Sequence, residues 1–301
     1  MKTMLLEQSL TTIYGDDFEA QRQRYTTALA AFRATYGDGM VDIFRAPGRV
    51  NVIGEHTDYN HGYVLPVALD KDLLFLARPR QDQRVRLTNL EHDFAPCEFS
   101  MDSQIPSAAQ ADWSNYVRGA AQTVARTLAE AGHRPANGLD ILVAGEAPEG
   151  VPRSAGLSSS SALTVVATLA FIHYSNWSPP TSELAPLCSD AEWYVGTRGG
   201  IMDQFIALLG ARDHALFLDC RPDSAGRYTN QRVPLPTSHR LLIVESGVKH
   251  SNVARRIQPP RWPPVAQACA SWPPARSRAS PTCAMSKRST GPSLRRIYPT
   301  E

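Results

Sequence analysis

Three proline pairs near the C-terminus restrict the folded part of this chain more than any other feature of its sequence. From Ile257 to Glu301 there are nine prolines, including the pairs Pro259-Pro260, Pro263-Pro264 and Pro273-Pro274. Proline has no backbone N–H and a fixed φ, so such pairs exclude a helix interior and a central strand alike. The stretch has no apolar periodicity and a single acidic residue, which predicts a disordered tail over residues 252–301. The folded part must therefore precede it.

The bulk composition is that of a globular protein and argues against several classes. The chain has 301 residues, 43% of them hydrophobic, which is enough for one large domain or two. A net charge of +2 argues against a nucleic-acid partner or a charged membrane surface. Five cysteines without C-x-x-C spacing predict neither a zinc site nor a disulfide framework, and hence a reducing compartment. Because no apolar run suits a signal peptide or a membrane span, we expect a cytoplasmic protein.

Hydrophobic periodicity predicts helices and strands in an irregular order. The predicted helices are Asp16–Tyr36, Asp112 to about Ala131 with Trp113 and Tyr116 on its apolar face, Ala162–Phe171, Thr181–Tyr194 and Met202–Leu209. The predicted strands are Val41–Phe44, Val50–Ile53, Leu73–Ala77, Val85–Thr88, Phe94–Ser100, Leu139–Val143, Ala215–Leu218, Tyr228–Val233 and Leu241–Val244. No regular β-α-β repeat is visible, so the pattern favours an α+β fold over a doubly wound sheet.

A run of four hydrogen-bonding side chains interrupts an apolar segment. In GRVNVIGEHTDYNHGYVLP (Gly48–Pro66), Glu55, His56, Thr57 and Asp58 follow one another. Both flanks are predicted to be buried strand, with Val50, Val52 and Ile53 before the run and Tyr63, Val64 and Leu65 after it. The spacing matches no zinc pattern. Several donors and acceptors on one rigid turn suit the hydroxyl groups of a neutral sugar, which is the ligand we expect here.

A second segment, VPRSAGLSSSSAL (Val151–Leu163), is a turn of small residues that opens an apolar helix. Unpaired amides at a helix start, together with the helix dipole, favour a phosphate group, and serine hydroxyls can bind Mg²⁺. The segment lacks the lysine pattern of a Walker P-loop. A serine that merely caps the helix is the alternative interpretation.

Two carboxylates and one arginine complete the candidate site. Asp203, in TRGGIMDQF (Thr197–Phe205), could act as a general base or simply cap its helix. Glu192 could bind Mg²⁺ or be an ordinary exposed glutamate. Arg49 could form a purely structural ion pair with Asp203. Alternatively, its charge keeps Asp203 ionised and offsets negative charge on a transferring phosphoryl group.

Together these segments resemble the galactokinase family, within the superfamily of galactokinase, homoserine, mevalonate and phosphomevalonate kinases. The Gly48–Pro66 segment is similar to the galactokinase signature almost letter for letter, SAGLSSSSA resembles the superfamily phosphate loop, and GGIMDQF resembles its catalytic-aspartate segment. LLIVESGVKHS (Leu241–Ser251) resembles the strand and turn that follow. The resemblance extends from about Asp16 to Ser251. It implies an N-terminal domain of the ribosomal protein S5 domain 2-like type and a C-terminal ferredoxin-like domain.

The resemblance also implies an activity, the ATP-dependent phosphorylation of the anomeric hydroxyl of galactose to galactose 1-phosphate. Asp203 would accept the proton, and Arg49 would steady Asp203 and the developing charge. The residues implied to face the sugar are Glu55, His56, Thr57 and Asp58, with Gly200 approaching it through its backbone. Those implied to surround the nucleotide phosphates are Ser154, Ala155, Gly156, Leu157, Ser158, Ser159 and Ser160, and those implied to bind Mg²⁺ are Ser160 and Glu192.

Two departures from the family pattern modify these expectations. Ser154 stands where the phosphate loop commonly has glycine, which would stiffen the loop. After Ser251 the proline-rich tail replaces the family's sugar-contacting tyrosine and second domain, and we hypothesise a reading-frame shift that the nucleotide sequence would test. The expected divisions are residues 1–40 (a helical segment), 41–251 (the ATP-binding domain and the start of the second domain) and 252–301 (the tail).

Such a chain is expected to have little or no kinase activity, because the family places its active site between two domains. Two other functions stay open: an N-acetylgalactosamine kinase, and a non-catalytic sensor of galactose and ATP. The expected partners are the sugar and ATP, without nucleic acid or membrane, and the expected state is a monomer.

Overall fold

A mixed sheet organises the part of the chain that the computed structural model describes, namely residues 9–15, 18–102, 104–146, 148–196, 199–239 and 241–244. Its strands are β1 (Asp42–Asn51), β2 (Tyr63–Val64), β3 (Pro66–Pro79), β4 (Arg84–Asn89), β5 (Cys97–Ser100), β6 (Leu139–Ala144), β7 (His214–Asp219) and β8 (Asn230–Pro234). They lie in the order β2-β7-β3-β6-β4-β5, while β1 pairs with β3 and β8 with β7. The β4–β6 pair is parallel, whereas β1–β3, β3–β6 and β7–β8 are antiparallel.

Helices cover both faces of this sheet. They are α1 (Phe18–Tyr36), α2 (Ser114–Glu130), α3 (Ser159–Tyr174), α4 (Thr181–Trp193) and α5 (Met202–Leu209), together with a 3-10 turn at Asp58–Asn60. Residues 9–14 are also helical. α3 is apolar on nearly every side because it lies between the sheet and the neighbouring helices α2, α4 and α5.

The alternation of side chains along β3 explains why the sheet is covered twice. Leu74 and Leu76 pack with Phe32 of α1 on one face. Phe75 and Ala77 point to the opposite face, where they join the core formed with α2, α3 and α4. Successive residues of a strand face opposite sides, so a strand buried on both sides reads as a continuous apolar run. The run Leu73–Ala77 therefore predicts the centre of the sheet correctly.

A buried aspartate connects the N-terminal helices to the sheet. Asp72 of β3 is fully buried and accepts hydrogen bonds from Arg24 at 2.7 Å, Arg45 at 2.6 Å and the Tyr14 hydroxyl at 2.5 Å. Arg24 also donates to the backbone oxygens of Asp72 and Ala144. Burial of one carboxylate against two guanidinium groups is stable only because its oxygens are matched by donors.

The α+β class and most of the predicted elements are confirmed. α5 has the predicted bounds, and α2 begins after Asp112, whose side chain accepts a hydrogen bond from the Ser114 amide at 2.8 Å. The two pieces predicted within residues 41–53 form one strand, β1. No helix in the described ranges combines the length and apolarity that crossing a bilayer requires. The tail predicted over residues 252–301 and the segment 245–251 lie outside the described residues, so those expectations stay predictions.

Two predictions about strands are wrong. Leu241–Val244 was predicted as a strand, but these residues are irregular and exposed and pair with no described strand. Val52, Ile53 and Tyr63 were predicted to be buried, yet their exposed fractions are 48%, 69% and 54%. Apolar character alone does not supply a neighbouring layer or a partner strand: Val52 and Ile53 lie beyond the end of β1, and Leu241–Val244 has no described partner strand.

Candidate active site

Three polar segments that are far apart in the sequence line one cavity of about 730 Å³. The turn after β1 contributes Glu55, His56 and Asp58. The segment 154–161, here called the serine loop, includes the first turn of α3 and contributes Ser154 and residues 156–161. The region from α4 to α5 contributes Glu192, Gly200 and Asp203. All the segments that the sequence singled out for chemistry therefore meet in one place.

Arg49 and Asp203 form a bidentate ion pair in the wall of this cavity. Arg49 Nε lies 2.6 Å from Asp203 Oδ1, and its Nη2 lies 3.1 Å from Oδ2. A third nitrogen, Nη1, donates to the Gly156 carbonyl at 2.7 Å. Both side chains are mostly buried, which strengthens the attraction between them. Arg49 thus joins β1, the serine loop and α5.

Asp203 does not cap its helix, which was the alternative interpretation. The N-cap position of α5 is Ile201, which makes no capping bond, and Asp203 lies in the first helical turn. Its second oxygen accepts a hydrogen bond from the Ser158 hydroxyl. An acidic side chain in a first turn interacts favourably with the helix dipole. The Asp203 carboxylate is therefore held in the cavity by Arg49, by Ser158 and by the dipole of α5.

The serine loop is held in a strained backbone conformation. Ser154 and Ser158 have φ angles of +57° and +63°, in the left-handed region that favours glycine. Ser158 occupies the N-cap position of α3 but makes no capping bond, because its hydroxyl binds Asp203 instead. Ser154 adopts the conformation that a glycine would take at the position where the family pattern has one. Ala155 is not among the residues that line the cavity.

Glu192 is a partly buried carboxylate beside the serine loop. The Ser161 hydroxyl lies 3.0 Å from its Oε1, and Gln204 Nε2 donates to its Oε2 at 2.6 Å. Burial, together with the negative charge of Asp203, raises the pKa of Glu192 to about 7. Glu192 is thus not the ordinary exposed glutamate that the sequence left possible.

Ser160, which the resemblance implied as a Mg²⁺ ligand together with Glu192, lines the cavity, and that role stays a prediction. The serine whose hydroxyl lies within hydrogen-bonding distance of Glu192 is Ser161. The physical reason is helical geometry, since α3 begins at Ser159 and Ser158 and Ser161 are three residues apart and lie on the same side. The Ser161 hydroxyl is also 3.3 Å from Asp203 Oδ2, so it lies between the two carboxylates.

The turn after β1 presents three of its four predicted side chains to the cavity. Glu55, His56 and Asp58 line it, and His56 Nδ1 lies 2.8 Å from the Tyr59 hydroxyl. Burial and the negative charge of Asp203 raise the pKa of Asp58. Asp58 therefore occupies the same buried polar region as the Arg49–Asp203 pair.

Thr57 is the exception, because it does not line the cavity, and its role in facing the sugar stays a prediction. Its hydroxyl lies 2.7 Å from the Gly54 carbonyl oxygen and 2.8 Å from that of Tyr63. The hydroxyl braces the base of the turn. Such a bond between side chain and backbone is a typical role of threonine in tight turns.

Gly200 is required by a close approach to Asp58. A Cβ atom added at Gly200 would lie 1.9 Å from Asp58 Oδ2 and 2.7 Å from its Cβ, so any larger residue would displace the whole aspartate side chain. The backbone of Gly200 lines the cavity, as the resemblance implied it would approach the ligand.

An aromatic wall at the other end of the cavity was not predicted as part of the site. Phe94, Trp113 and Tyr116 line it, and the rings of Phe94 and Trp113 lie 5.3 Å apart between centroids. The periodicity of α2 assigned Trp113 and Tyr116 only to a buried helix face. Helical position distinguishes buried from exposed side chains but not a packed core from the wall of a cavity, so the sequence held no direct signal.

The donor set suits a magnesium ion that is shared with phosphate groups. Mg²⁺ in proteins usually keeps several waters and binds one or two carboxylates together with substrate phosphates. The described residues contain no cluster of three or more His, Cys, Asp or Glu that would hold a metal on its own. Glu192 lies beside hydroxyl groups at the start of α3, and its two donors Ser161 and Gln204 are neutral, so a cation would balance its charge.

Comparison with known proteins shows which family this chain is similar to. Residues 30–79 match the family model of the galactokinase galactose-binding signature, and residues 115–211 match that of the GHMP kinases N-terminal domain. The galactokinase of Chloroflexus aggregans is 41% identical over 227 residues, which are 75% of this chain and 54% of that protein. The galactokinase of a Roseiflexus species is 44% identical over 225 residues, which are 74% of this chain and 53% of that protein.

A solved structure has the same fold. The crystal structure of Lactococcus lactis galactokinase complexed with galactose matches with a TM-score of 0.59 and 34% identity, over 70% of this chain and 52% of that one. The chain spans about half the length of the curated relatives it matches. Since two family models, curated relatives and a solved structure agree, the chain belongs to the galactokinase family of the GHMP kinase superfamily.

Proposed function

We propose that this chain binds galactose and ATP and that its site serves phosphoryl transfer to the anomeric hydroxyl of the sugar. The observation that carries the proposal is the Arg49–Asp203 pair, which lies where the sugar signature, the serine loop and α5 meet. A general base close to a phosphate loop and to a polar turn is the arrangement that a sugar kinase needs.

In the proposed reaction, Asp203 accepts the proton of the anomeric hydroxyl while the sugar oxygen attacks the γ-phosphorus of ATP. The bond from that phosphorus to the β,γ-bridging oxygen breaks, and galactose 1-phosphate and ADP result. Arg49 orients the Asp203 carboxylate through two hydrogen bonds and adds positive charge next to the transferring group. Catalysis of this kind depends mainly on positioning and charge, which this cavity supplies.

The serine loop is proposed to hold the nucleotide phosphates, and Glu192 with the neighbouring serine hydroxyls to hold Mg²⁺. The start of α3 offers unpaired backbone amides and the positive end of a helix dipole. A bound magnesium ion would neutralise charge on the β- and γ-phosphates. On the opposite side Glu55, His56 and Asp58 are proposed to bind sugar hydroxyls, with the aromatic wall left for the nucleoside.

The test begins with binding, because the chain spans about half of its relatives. We expect calorimetry on a monodisperse sample to show binding of galactose and, separately, of magnesium with a non-hydrolysable ATP analogue. Asp58→Ala should abolish galactose binding and leave nucleotide binding unchanged. Asp203→Asn should retain both ligands and abolish any ADP formation that the unaltered chain shows.

The outcome separates the competing functions. A chain that binds neither ligand would refute the proposal. Tighter binding of N-acetylgalactosamine than of galactose would move the substrate to the amino sugar. Binding of both ligands, with ADP formation that Asp203→Asn does not change, would point to a sensor instead of an enzyme. We further propose a cytoplasmic monomer, which cell fractionation and analytical ultracentrifugation would check.

A further inference from the structure

Two donors from different helices hold the partly buried carboxylate of Glu192. Ser161 approaches from α3 and lies 3.0 Å from Oε1; Gln204 approaches from α5 and donates to Oε2 at 2.6 Å. Both donors are almost completely buried, with exposed fractions of 4% and 2%. Glu192 itself belongs to α4, so a single carboxylate connects three helices at the wall of the cavity.

Counting donors shows where the proton of Ser161 goes. A serine hydroxyl carries one proton, and Ser161 has two carboxylates within reach, Glu192 at 3.0 Å and Asp203 at 3.3 Å. Asp203 already receives two N–H groups of Arg49 and the hydroxyl of Ser158. The closer oxygen, with fewer donors, belongs to Glu192, and Ser161 donates to it.

We propose that Ser161 and Gln204 are positioning residues that fix the Glu192 carboxylate in the orientation in which it would bind the divalent cation of the nucleotide. The inference rests on the proposed function and adds two residues to it. Neither residue was implied by the family pattern, which pointed to Ser160. With one donor on each oxygen, the carboxylate cannot rotate about its last bond without losing both hydrogen bonds.

Removing either donor should weaken the cation site without removing its ligand. Donors that orient a metal-binding carboxylate typically contribute roughly 10- to 100-fold to metal affinity. We therefore expect Ser161→Ala and Gln204→Met each to weaken cation binding about 10-fold. Ser161→Thr, which keeps the hydroxyl, should retain most of the affinity.

The experiment uses Mn²⁺ as a spectroscopic substitute for Mg²⁺. Free Mn²⁺ is measured by electron paramagnetic resonance during titration of the full chain with a non-hydrolysable ATP analogue present. Thermal unfolding of each variant checks that it is folded. Thr164→Val is the matched control, because Thr164 is a buried residue one turn further along α3 whose hydroxyl bonds to the Ser160 carbonyl and which does not line the cavity.

Each result has a defined meaning. Weaker Mn²⁺ binding in Ser161→Ala and Gln204→Met, with normal binding in Ser161→Thr and Thr164→Val, supports the inference. Unchanged Mn²⁺ affinity in both loss variants overturns it, and so does an equal loss in Thr164→Val, which would indicate a general loosening of α3. If the unaltered chain binds no Mn²⁺ with the nucleotide, the proposed function fails as well, and that result is distinct from the first two.

Discussion

Replacing Glu192 with glutamine should stabilise the fold at alkaline pH, even though it removes a proposed cation ligand. Burial, together with the negative charge of Asp203, raises the pKa of the Glu192 carboxyl from 4.5 to about 7. A carboxyl group whose pKa is higher in the folded protein than in the unfolded chain favours folding only while it is protonated. That contribution is fully present below pH 4.5 and is lost as the pH rises through about 7.

The magnitude follows from the two pKa values. One pKa unit corresponds to about 1.36 kcal/mol, so a rise from 4.5 to about 7 corresponds to roughly 3 kcal/mol of unfolding free energy above pH 8. Glu192→Gln keeps the shape of the side chain and its contacts with Ser161 and Gln204 but carries no charge at any pH. The stability difference between variant and unaltered chain should therefore grow from near zero at acidic pH to roughly 3 kcal/mol at alkaline pH.

Urea unfolding measures this difference directly. Titrations followed by circular dichroism at several pH values between about 5 and 8.5, with a chelator present to remove divalent cations, give the free energy of unfolding for both proteins. Glu130→Gln, at an exposed position at the end of α2, serves as the control and should show no such trend. A Glu192→Gln variant whose stability difference is constant across this pH range would refute the reasoning.

Three further predictions test the other parts of the structure. Asp72→Asn should lower the free energy of unfolding by about 3–5 kcal/mol in urea titrations, since it leaves the buried guanidinium of Arg24 and the partly exposed one of Arg45 without their carboxylate. A loss below about 1 kcal/mol would contradict the network. Gly200→Ala should abolish galactose binding in calorimetry while nucleotide binding persists, because the new methyl group displaces Asp58. Unchanged galactose affinity would contradict this geometry. Thr57→Val should cost about 1 kcal/mol of stability and weaken galactose binding only moderately, because the Thr57 hydroxyl bonds to the backbone of the turn. Complete loss of galactose binding in a folded variant would instead indicate that Thr57 contacts the sugar directly.

The elements that local patterns predicted well are those whose neighbours lie on both sides. β3 is apolar over Leu73–Ala77 because both faces of the sheet are covered, and α5 has its predicted bounds because its apolar positions match a helical period. In such segments burial and secondary structure are decided by the same residues. The sequence then contains all that the prediction needs.

The wrong predictions concern segments whose environment is set elsewhere in the chain. Ile53 and Tyr63 are as apolar as residues in the core, but they follow the end of β1 and precede the inner part of β3, where no described layer covers them. Leu241–Val244 has strand character without a described partner strand. A strand is stabilised by pairing, and pairing is a long-range property that composition does not report.

The four consecutive serines show a further limit of prediction from sequence, which concerns the direction in which each side chain points. Four consecutive serines, Ser158 to Ser161, carry the same chemistry, and nothing in their order says which hydroxyl faces Glu192. The answer depends on where α3 begins, since a shift of its start by one residue rotates every later side chain by about 100°. With α3 starting at Ser159, Ser158 and Ser161 share one side, and the two carboxylates of the site lie against that side.

The same geometry explains how two carboxylates in one cavity can have different roles. Asp203 receives the guanidinium of Arg49, whereas Glu192 receives only the neutral donors Ser161 and Gln204. Burial and the nearby negative charge of Asp203 raise the pKa of Glu192 to about 7. These surroundings support the proposed roles, in which Asp203 accepts a proton from a sugar hydroxyl and Glu192 binds a cation that arrives with the nucleotide. The sequence already singled out both carboxylates and the pairing of Arg49 with Asp203; the structure adds the two neutral donors around Glu192.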